Sequence, residues 1–482
     1  MPKVVLISTY ELGRQPFGLA SPAAWLRCAG AEVTCLDLSR EALPPGPISE
    51  ADFIAFYVPM HTATRLAAAT LPVIRGLNGH AHLCFYGLYA PVNEAYLRKL
   101  GADTIFGGEF EEGVVGAFRR VCGAQSETRR LQAGLKAAVP RLWAVPKAGA
   151  TAVGYAQPEP LISVARQHFL VPDRSGMLPL SRYAHLNHPS GKPRVAGYTE
   201  ASRGCKHVCR HCPIVPVYDG HFRIVPRDVV LADIRQQVAA GAEHVTFGDP
   251  DFFNGIRHAV ELVSSLHAEH PALTYDVTIK IEHLLQHAQH LRTLRDTGCL
   301  FVTSAVESMD DSVLARLAKG HTYADFASVV DLCRDVGLAL APTFVAFTPW
   351  ITGEGYCALL ERIAALDLIE QVAPIQLAIR LLIPAGSRLL DLAEVRQVVA
   401  PFDEASLAYP WAHPDPRVDE LCGRSQAVIE YGQRKGWSRR EIFGRIWNLA
   451  HDAAGLQRRA IPQESVGAVR ATVPYLTEPW YC

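Results

Sequence analysis

Three cysteines, Cys205, Cys209 and Cys212, stand in a C-x3-C-x2-C spacing within the stretch SRGCKHVCRHCPIVP. Thiolates so spaced bind zinc, form a redox disulfide or hold an iron–sulfur cluster. Zinc would take its fourth ligand from one of three nearby histidines, His207, His211 or His221. A redox pair needs only C-x2-C near a thioredoxin-like unit, so the upstream cysteine argues against it. Three thiolates with one open corner favour a cluster whose fourth iron binds another molecule.

A second set of polar residues lies at or near the ends of predicted strands. Its members are Gly248, Asp249, Asp251, Thr278, Lys280, Ser304, Glu307 and Arg380. Carboxylates accept hydrogen bonds from ammonium or hydroxyl groups, and a lysine or arginine can pair with a ligand carboxylate. Structural alternatives stay open: an aspartate can cap a βα turn, Lys280 can lie on the surface, and Arg380 can pair with a structural Asp or Glu.

Two series of apolar runs must position these residues. Six runs are predicted strands separated by helical stretches: 194–202, 244–249, 273–280, 300–307, 338–347 and 375–382. Six βα units predict a partial barrel, open on one side, with chemistry at the carboxyl ends of its strands. Five earlier runs predict a doubly wound, parallel α/β sheet: 3–9, 32–38, 52–58, 81–87 and 103–108. This first region lacks the G-x-G-x-x-G fingerprint of dinucleotide binding.

The predicted order along the chain has four parts. Residues 1–122 form the doubly wound domain and residues 123–193 form a connector rich in Pro, Gly and small residues. Residues 194–389 form the barrel. Residues 390–482 form a helical region with an irregular tail.

Composition restricts the function further. The net charge is −1, so bulk electrostatics gives no reason to expect a nucleic-acid partner. The sequence has no stretch of 18 apolar residues, so we expect no membrane span. The apolar run near the start of the chain is too short for a signal peptide. We therefore expect a cytoplasmic protein whose 12 cysteines are mostly reduced and whose substrate is a small molecule.

The C-x3-C-x2-C motif after a first barrel strand resembles that of the radical SAM superfamily, over roughly residues 194–385. The resemblance implies a 4Fe-4S cluster on Cys205, Cys209 and Cys212, with S-adenosylmethionine bound at the open iron. It also implies one-electron cleavage of a carbon–sulfur bond, with the electron supplied by a donor of flavodoxin or ferredoxin type. His211 stands where the family usually has an aromatic residue, which implies packing beside the cofactor.

The same resemblance assigns roles to the strand-end residues. Gly248, Asp249 and Asp251 replace a Gly-Gly-Glu-like motif that contacts the methionine amino group. Thr278 and Lys280 end the next strand, and Lys280 is a candidate partner of the methionine carboxylate, as is Arg380. The segment VTSAVESMDDSVLARLAKGHT contains Ser304 and Glu307, and Glu307 is expected to accept from the ribose hydroxyls.

The F-x-D-x-x-F form from Phe247 to Phe252 looks like that of the radical SAM subgroup with an N-terminal cobalamin-binding domain. The first region has the matching βα pattern. Its first loop, TYELGRQPFG, lacks the D-x-H-x-x-G motif whose histidine ligates cobalt. Cobalamin therefore stays an open cofactor, and a degenerate domain kept for packing is the alternative.

The last residues, TEPWYC, resemble the radical SAM proteins named for a C-terminal Cys-Sec or Cys-Ala-Glu-Pro tail. A related tail type belongs to the arsinothricin-pathway enzyme. The resemblance implies that the native chain continues past Cys482 through selenocysteine, and that Cys482 is a catalytic soft ligand near the barrel mouth. An incidental exposed thiol is the alternative.

The predicted function is radical chemistry on a small molecule. One form transfers a 3-amino-3-carboxypropyl or methyl group to a soft atom or a carbon. Another is cobalamin-independent hydrogen abstraction and rearrangement. A non-enzymatic alternative is a metal-binding or redox-sensing protein that uses the same three cysteines.

Overall fold

The computed structural model describes residues 1–123, 158–187, 191–457 and 460–462, and the backbone of residues 475–476. The chain divides into two compact units. The first unit comprises Met1–Glu11 and Gln15–Leu178, and the second comprises Leu12–Arg14 and Pro179–Cys482. The predicted connector falls largely outside the described residues, and its residues 158–178 belong to the first unit.

The first unit is a six-stranded parallel sheet in the order β2-β1-β3-β4-β5-β6. The strands are β1 Lys3–Ser8, β2 Glu32–Asp37, β3 Phe53–Tyr57, β4 His82–Tyr86, β5 Thr104–Gly108 and β6 Ile162–Ser163. The helices are α1 Phe17–Cys28, α2 Pro45–Glu50, α3 His61–Leu77, α4 Tyr89–Val92, α5 Glu94–Lys99 and α6, residues 111–123.

Alternating side chains of β1 point to two separate cores. Val4 and Leu6 pack in the core that contains residues of α1 and α6, whereas Val5 and Ile7 pack in the core that contains residues of α2, α3 and α5. A strand with period-2 side chains that is buried on both faces must be apolar over its buried length, as residues 4–7 of this strand are. The predicted doubly wound sheet is confirmed.

The second unit holds a seven-stranded sheet in the order β14-β13-β12-β11-β8-β7-β15. Its strands are β7 His185–Asn187, β8 Pro193–Thr199, β11 His244–Phe247, β12 Thr274–Thr278, β13 Cys299–Glu307, β14 Ala339–Phe344 and β15 Tyr475–Leu476. The five from β8 to β14 are parallel, whereas β7 and β15 are antiparallel to their neighbours. A short hairpin, β9 Ser202–Gly204 and β10 Phe222–Ile224, follows β8. The curled half-barrel is confirmed.

The prediction of a sixth barrel strand at residues 375–382 is wrong. Residues Pro374–Leu377 form a 3-10 turn, and Arg380 makes only an isolated parallel bridge to Phe347. Two causes limit the pairing. Pro374 has no N–H to donate, and the Gln376 side chain accepts the Phe344 N–H at 2.9 Å, a donor that a sixth strand would use.

The helices of the second unit lie between and after its strands along the chain. They are α7 Val215–Tyr218, α8 Arg227–Ala239, α9 Ile256–Glu269, α10 Ile281–Gln286, α11 Leu291–Asp296, α12 Asp311–Leu317, α13 Tyr323–Val336, α14 Gly353–Ala365, α15 Ala393–Val398, α16 Pro416–Lys435 and α17 Arg439–Ala453. Helices α13 and α17 begin with capping boxes, Thr322 with Asp325 and Ser438 with Glu441, which fix where each helix starts. No helix among the described residues is long and apolar enough to cross a membrane.

Candidate active site

The cysteine loop lies between β9 and α7, after the first parallel strand of the barrel. Gly204, at φ +74°, turns the chain into this loop. A Cβ at that position would lie 2.4 Å from Tyr218 Cδ1 and 2.5 Å from the His221 carbonyl oxygen, so only glycine fits. Within the loop the Cys212 N–H donates to the Cys209 carbonyl at 3.1 Å, which makes a tight turn between the last two thiols.

Neighbouring elements fasten the loop at two points. Near its start, Asn254 accepts from the Lys206 N–H at 3.3 Å and donates to the Gly204 carbonyl at 3.4 Å. In its middle, the Arg210 N–H donates to the Leu317 carbonyl at 2.9 Å, and its guanidinium donates to the Arg316 carbonyl at 2.7 Å. The loop is therefore held in shape by backbone and side-chain hydrogen bonds from distant parts of the chain.

The three thiols fit a thiolate-bound metal cluster. All three are free cysteines. Desolvation and the charges of the other two thiolates raise the pKa of Cys212 to about 12, although a backbone hydrogen bond from Ile214 opposes this. Desolvation, with the charges of Asp251 and Cys209, also raises the pKa of Cys205. Thiols that are buried close to one another stay protonated. They become thiolates readily only when a metal cation replaces their protons.

Glu307 ends β13 with a left-handed backbone, φ +68°, and its side chain turns towards the cysteine loop. Its Oε1 lies 3.0 Å from His211 Nε2 and 3.5 Å from Lys319 Nζ. Desolvation alone would raise the pKa of Glu307, but the charges and hydrogen bonds of Lys319 and His211 lower it to about 2. Glu307 is thus an ionised, buried carboxylate, and His211 joins it directly to the loop of three cysteines.

Both carboxylate oxygens of Asp249 accept hydrogen bonds from within the chain. It accepts from the Ser202 hydroxyl at 2.6 Å and from the Ala201 N–H at 2.9 Å, so it fastens the turn between β8 and β9. Burial raises the pKa of Asp249 to about 7, and these donors lower it only in part. Gly248 is required beside it, because a Cβ there would lie 1.8 Å from the Tyr198 hydroxyl oxygen.

Asp251, two residues further on, faces a different group of side chains. Its Oδ2 lies 2.6 Å from His283 Nδ1 and 3.6 Å from His207 Nε2. Burial would raise the pKa of Asp251, but the close polar contacts and charges of His207 and His283 lower it below its ordinary value. Lys280 Nζ donates to His207 Nδ1 at 3.1 Å and to Glu282 at 3.0 Å. Asp251 and Lys280 therefore meet at the carboxyl ends of β11 and β12, beside the cysteine loop.

The remaining predicted residues lie apart from this group or outside the description. Thr278 is the half-buried last residue of β12. The Ser304 hydroxyl is buried and donates to the Ile279 carbonyl at 2.7 Å, so it links neighbouring strands. Arg380 pairs with Asp419 at 2.6 Å and stacks 3.6 Å from the centre of the Trp411 ring, which matches the structural alternative. Cys482 lies outside the described residues.

The model of the Radical SAM superfamily matches residues 199–363, which contain the cysteine loop and β11 to β14. Residues 199–363 are thus similar to a radical SAM domain. The domain and the enzyme names of its relatives identify an enzyme, and the family implies a 4Fe-4S cluster and S-adenosylmethionine.

Two curated relatives match only part of this chain. A tRNA-2-methylthio-N(6)-dimethylallyladenosine synthase from Chlorobium luteolum is 25% identical over 199 residues, which are 37% of this chain and 40% of the relative. The hopanoid C-3 methylase of Methylococcus capsulatus is 20% identical over 151 residues, 31% of this chain and 29% of the relative. The chain spans less than half the length of these relatives.

Solved structures resemble more of the chain. The cobalamin-dependent S-adenosylmethionine radical enzyme OxsB, with aqua-cobalamin bound, covers 90% of this chain and 67% of its own at a TM-score of 0.65 and 15% identity. The radical S-adenosylmethionine methyltransferase TsrM from Kitasatospora setae, with cobalamin and a 4Fe-4S cluster bound, covers 76% of this chain and 74% of its own, at a TM-score of 0.57 and 18% identity. At such identities the likeness concerns the fold.

A cavity of about 250 Å³ opens beside Glu307 in the radical SAM domain, at the carboxyl ends of β13 and β14. Glu307, Asp310, Thr348 and Arg362 are among its lining residues. The Thr348 hydroxyl is buried and makes no hydrogen bond within the described residues. The cavity therefore offers a polar place for part of a small ligand next to Glu307.

Three residues of the site were missed from the sequence: Lys319, Asn254 and His283. Lys319 stands in the KGHT run that follows α12, and a lysine twelve residues after a predicted functional glutamate was a usable signal. Asn254 closes the DPDFFN run after β11. His283 lies three residues after Lys280, and nothing in its spacing distinguished it from the chain's other histidines.

Proposed function

We propose that this protein uses a 4Fe-4S cluster on Cys205, Cys209 and Cys212 to cleave S-adenosylmethionine reductively and to transfer a carbon group to a small molecule. The observation that carries the proposal is the contact of His211 with Glu307, which joins the three-thiol loop to an ionised carboxylate at the carboxyl end of β13. Bound cluster and S-adenosylmethionine would supply one-electron cleavage of a carbon–sulfur bond.

The chain's own residues bind and orient the cofactor in this proposal. Both observed contacts of Glu307 use Oε1, so Oε2 is the atom assigned to accept a ribose hydroxyl. Lys280 and Lys319 supply buried positive charge for a carboxylate group. Asp251 supplies the negative charge for an ammonium group. Because these groups are buried, their fields act with little screening by water.

Among the transferable groups, methyl is favoured by the relatives. The hopanoid C-3 methylase and TsrM both bear names of methyl-transferring enzymes. OxsB and TsrM hold cobalamin, and the first unit here has the doubly wound sheet expected of a cobalamin-binding domain. We propose that the first unit binds cobalamin without a histidine ligand to cobalt. Gel filtration of the protein with hydroxocobalamin, read by absorbance, tests this point.

Aminocarboxypropyl transfer is the second candidate, and it rests on the resemblance of the tail. Cys482 stays a predicted catalytic thiol, as does membership of the tail-named subgroup. A flavodoxin or ferredoxin stays the proposed electron donor. Replacing dithionite by reduced flavodoxin in the assay below checks the donor.

Product analysis tests the function. The full chain is reconstituted anaerobically with iron, sulfide and hydroxocobalamin, reduced with dithionite, given S-adenosylmethionine and analysed by mass spectrometry. The reduced cobalamin serves as the acceptor of the methyl group when no substrate is present. We expect cleavage, with S-adenosylhomocysteine marking methyl transfer, methylthioadenosine marking aminocarboxypropyl transfer, and 5′-deoxyadenosine alone marking hydrogen abstraction.

A cysteine control makes the assay specific. The Cys205→Ala, Cys209→Ala, Cys212→Ala triple variant should lose cleavage, whereas Cys28→Ala, which changes an exposed thiol, should keep it. Wild-type protein that binds a full cluster but cleaves no S-adenosylmethionine would instead support the metal-binding or redox-sensing alternative.

A further inference from the structure

A second group of metal-ligating side chains lies beside the cysteine loop. His207 comes from the loop itself, Asp251 follows β11, and His283 lies in α10. One ligand atom from each lies within 4.8 Å of those of the others. In detail, His207 Nε2 is 3.3 Å from His283 Nε2 and 3.6 Å from Asp251 Oδ2, and Asp251 Oδ2 is 2.6 Å from His283 Nδ1.

We infer that His207, Asp251 and His283 bind a divalent first-row transition-metal ion, at a site separate from the three cysteines. An ion held there competes for Asp251 with the ammonium group that the proposed function assigns to it. Two imidazole nitrogens and one carboxylate oxygen suit zinc or ferrous iron and leave coordination positions open. With metal–ligand bonds of about 2.0–2.2 Å, neighbouring ligand atoms lie roughly 3.0–3.6 Å apart. A metal ion can take only one nitrogen of His283. With Nδ1 as that atom, the 3.6 Å separation of His207 Nε2 and Asp251 Oδ2 falls in this range, and the 2.6 Å separation of Asp251 Oδ2 and His283 Nδ1 must widen by about 0.4 Å.

Burial supports a cation at this place. The Asp251 and His283 side chains are only 2% and 1% exposed. Although Asp251 Oδ2 and His283 Nδ1 lie close together, neither atom makes a hydrogen bond of acceptable geometry within the described residues. Leaving such buried atoms without partners is costly, and a metal ion between them would satisfy both.

The surroundings orient the ligands as a metal site requires. The other oxygen of Asp251, Oδ1, accepts from the Phe253 N–H at 3.1 Å and so fixes which oxygen faces the histidines. The ring centres of His207 and His283 are 4.7 Å apart, so both imidazoles face the same small volume. Nitrogen and oxygen ligands differ from the soft thiolates of Cys205, Cys209 and Cys212, which keeps the two sites chemically distinct.

Lys280 opposes metal binding in the present arrangement. Its ammonium donates to His207 Nδ1, so the proton of a neutral His207 is on Nε2, the atom that faces the site. A metal on Nε2 requires that proton to be on Nδ1, and Lys280 must then turn to Glu282, which it already contacts. Replacing Lys280 by a neutral residue should therefore tighten metal binding.

The test uses the full chain after anaerobic cluster reconstitution. The protein is equilibrated with zinc chloride, desalted and analysed for zinc and iron together. We expect about one retained zinc per chain beside about four irons in the wild type. Asp251→Asn and His283→Gln should each lose most of the zinc and keep the iron, whereas His290→Gln, a histidine of the same region that is not a ligand, should keep both. Lys280→Gln should bind zinc at least several-fold more tightly.

Zinc-edge X-ray absorption of the wild-type sample decides the ligands even if the variants do not fold. Imidazole scattering with nitrogen and oxygen neighbours supports the site. Sulfur neighbours would overturn the inference, because zinc would then lie on the cysteines. Wild-type protein that retains no zinc, or both ligand variants retaining it fully, would also overturn the inference. The proposed function fails separately, through absence of S-adenosylmethionine cleavage in protein with a full cluster.

Discussion

Replacing Glu307 by glutamine should cost more stability than any other single change of charge at the site. The variant keeps the size and most of the shape of the side chain but removes its negative charge. Lys319, whose side chain is 4% exposed, then loses its anionic partner 3.5 Å away, and His211 keeps only the neutral amide oxygen as an acceptor. A buried ammonium without an anion is the main cause of the expected loss.

Two independent routes give the same magnitude. Removing one partner of a buried ion pair costs about 3–5 kcal/mol. The pKa of Glu307 falls from 4.5 in an unperturbed chain to about 2 in the folded protein. That difference of about 2.5 corresponds to roughly 3.4 kcal/mol, at about 1.36 kcal/mol for each pKa unit. We therefore expect Glu307→Gln to lower the free energy of unfolding of the second unit by about 3 kcal/mol at pH 7.

Urea unfolding of the full chain, followed by tryptophan fluorescence, measures this loss. Four tryptophans of the described residues, Trp350, Trp411, Trp437 and Trp447, lie in the second unit, so the signal reports mainly on that unit. The Glu307→Gln, Lys319→Met double variant is the matched control. Because it removes both charges, it should recover much of the loss of the single variant.

The pH dependence has a definite sign. The folded pKa of Glu307 lies below the unfolded value, so its stabilisation is complete above about pH 4.5 and is lost as the pH falls towards about 2. The stability difference between wild type and Glu307→Gln should shrink over that window. A variant within about 0.5 kcal/mol of wild type at pH 7, or a double variant no better than the single one, would refute the buried ion pair as a source of stability.

Three further changes test other parts of the site. Gly204→Ala should prevent cluster reconstitution, because the added Cβ meets Tyr218 and the backbone. Gly241→Ala is the control: this glycine also has a positive φ, but no atom lies within 4 Å of the added Cβ. It should lower the free energy of unfolding by only about 1 kcal/mol, measured by chemical denaturation, and keep iron binding. Asn254→Ala should loosen the loop, lower the free energy of unfolding by about 1–2 kcal/mol and lower the iron content. An equally destabilising Asn78→Ala in the first unit should leave the iron content unchanged. Equal iron in both variants would contradict the role of Asn254 in fastening the loop. Arg380→Met should lower the free energy of unfolding by about 1–2 kcal/mol but leave the affinity for S-adenosylmethionine, measured by calorimetry, unchanged. A weakened affinity would support Arg380 as a ligand of the cofactor.

Much of the fold was predictable because parallel strands buried on both faces leave a clear mark in the sequence. The runs 52–58 and 300–307 correspond to Phe53–Tyr57 and Cys299–Glu307 in the structure, within a residue or two at each end. The spacing of Cys205, Cys209 and Cys212 likewise placed the loop after the first barrel strand. Local patterns of this kind predict strands well, because each strand must bury its own apolar side chains.

The partners of polar side chains were not predictable in the same way. Arg380 pairs with Asp419, which is 39 residues away and lies on a helix beyond the barrel. Asp249 and Ser304 sit at suitable strand positions, yet their oxygens are used by neighbouring backbone and hydroxyl groups. Such pairings depend on how elements meet in three dimensions, and the spacing along one strand carries no record of them. The roles of the individual site residues stay predictions.

The fastening of the cysteine loop has a consequence for how the protein is made. Arg210 is held by carbonyls of residues 316 and 317, and its own carbonyl accepts from the Ser387 hydroxyl at 3.4 Å. A ribosome synthesises those partners more than a hundred residues after the cysteines. While the chain is growing, the three thiols are therefore presented on a segment without its final shape, and iron and sulfide delivered then would meet unpositioned ligands. Cluster insertion therefore belongs after residues 316, 317 and 387 have been made and have folded onto the loop.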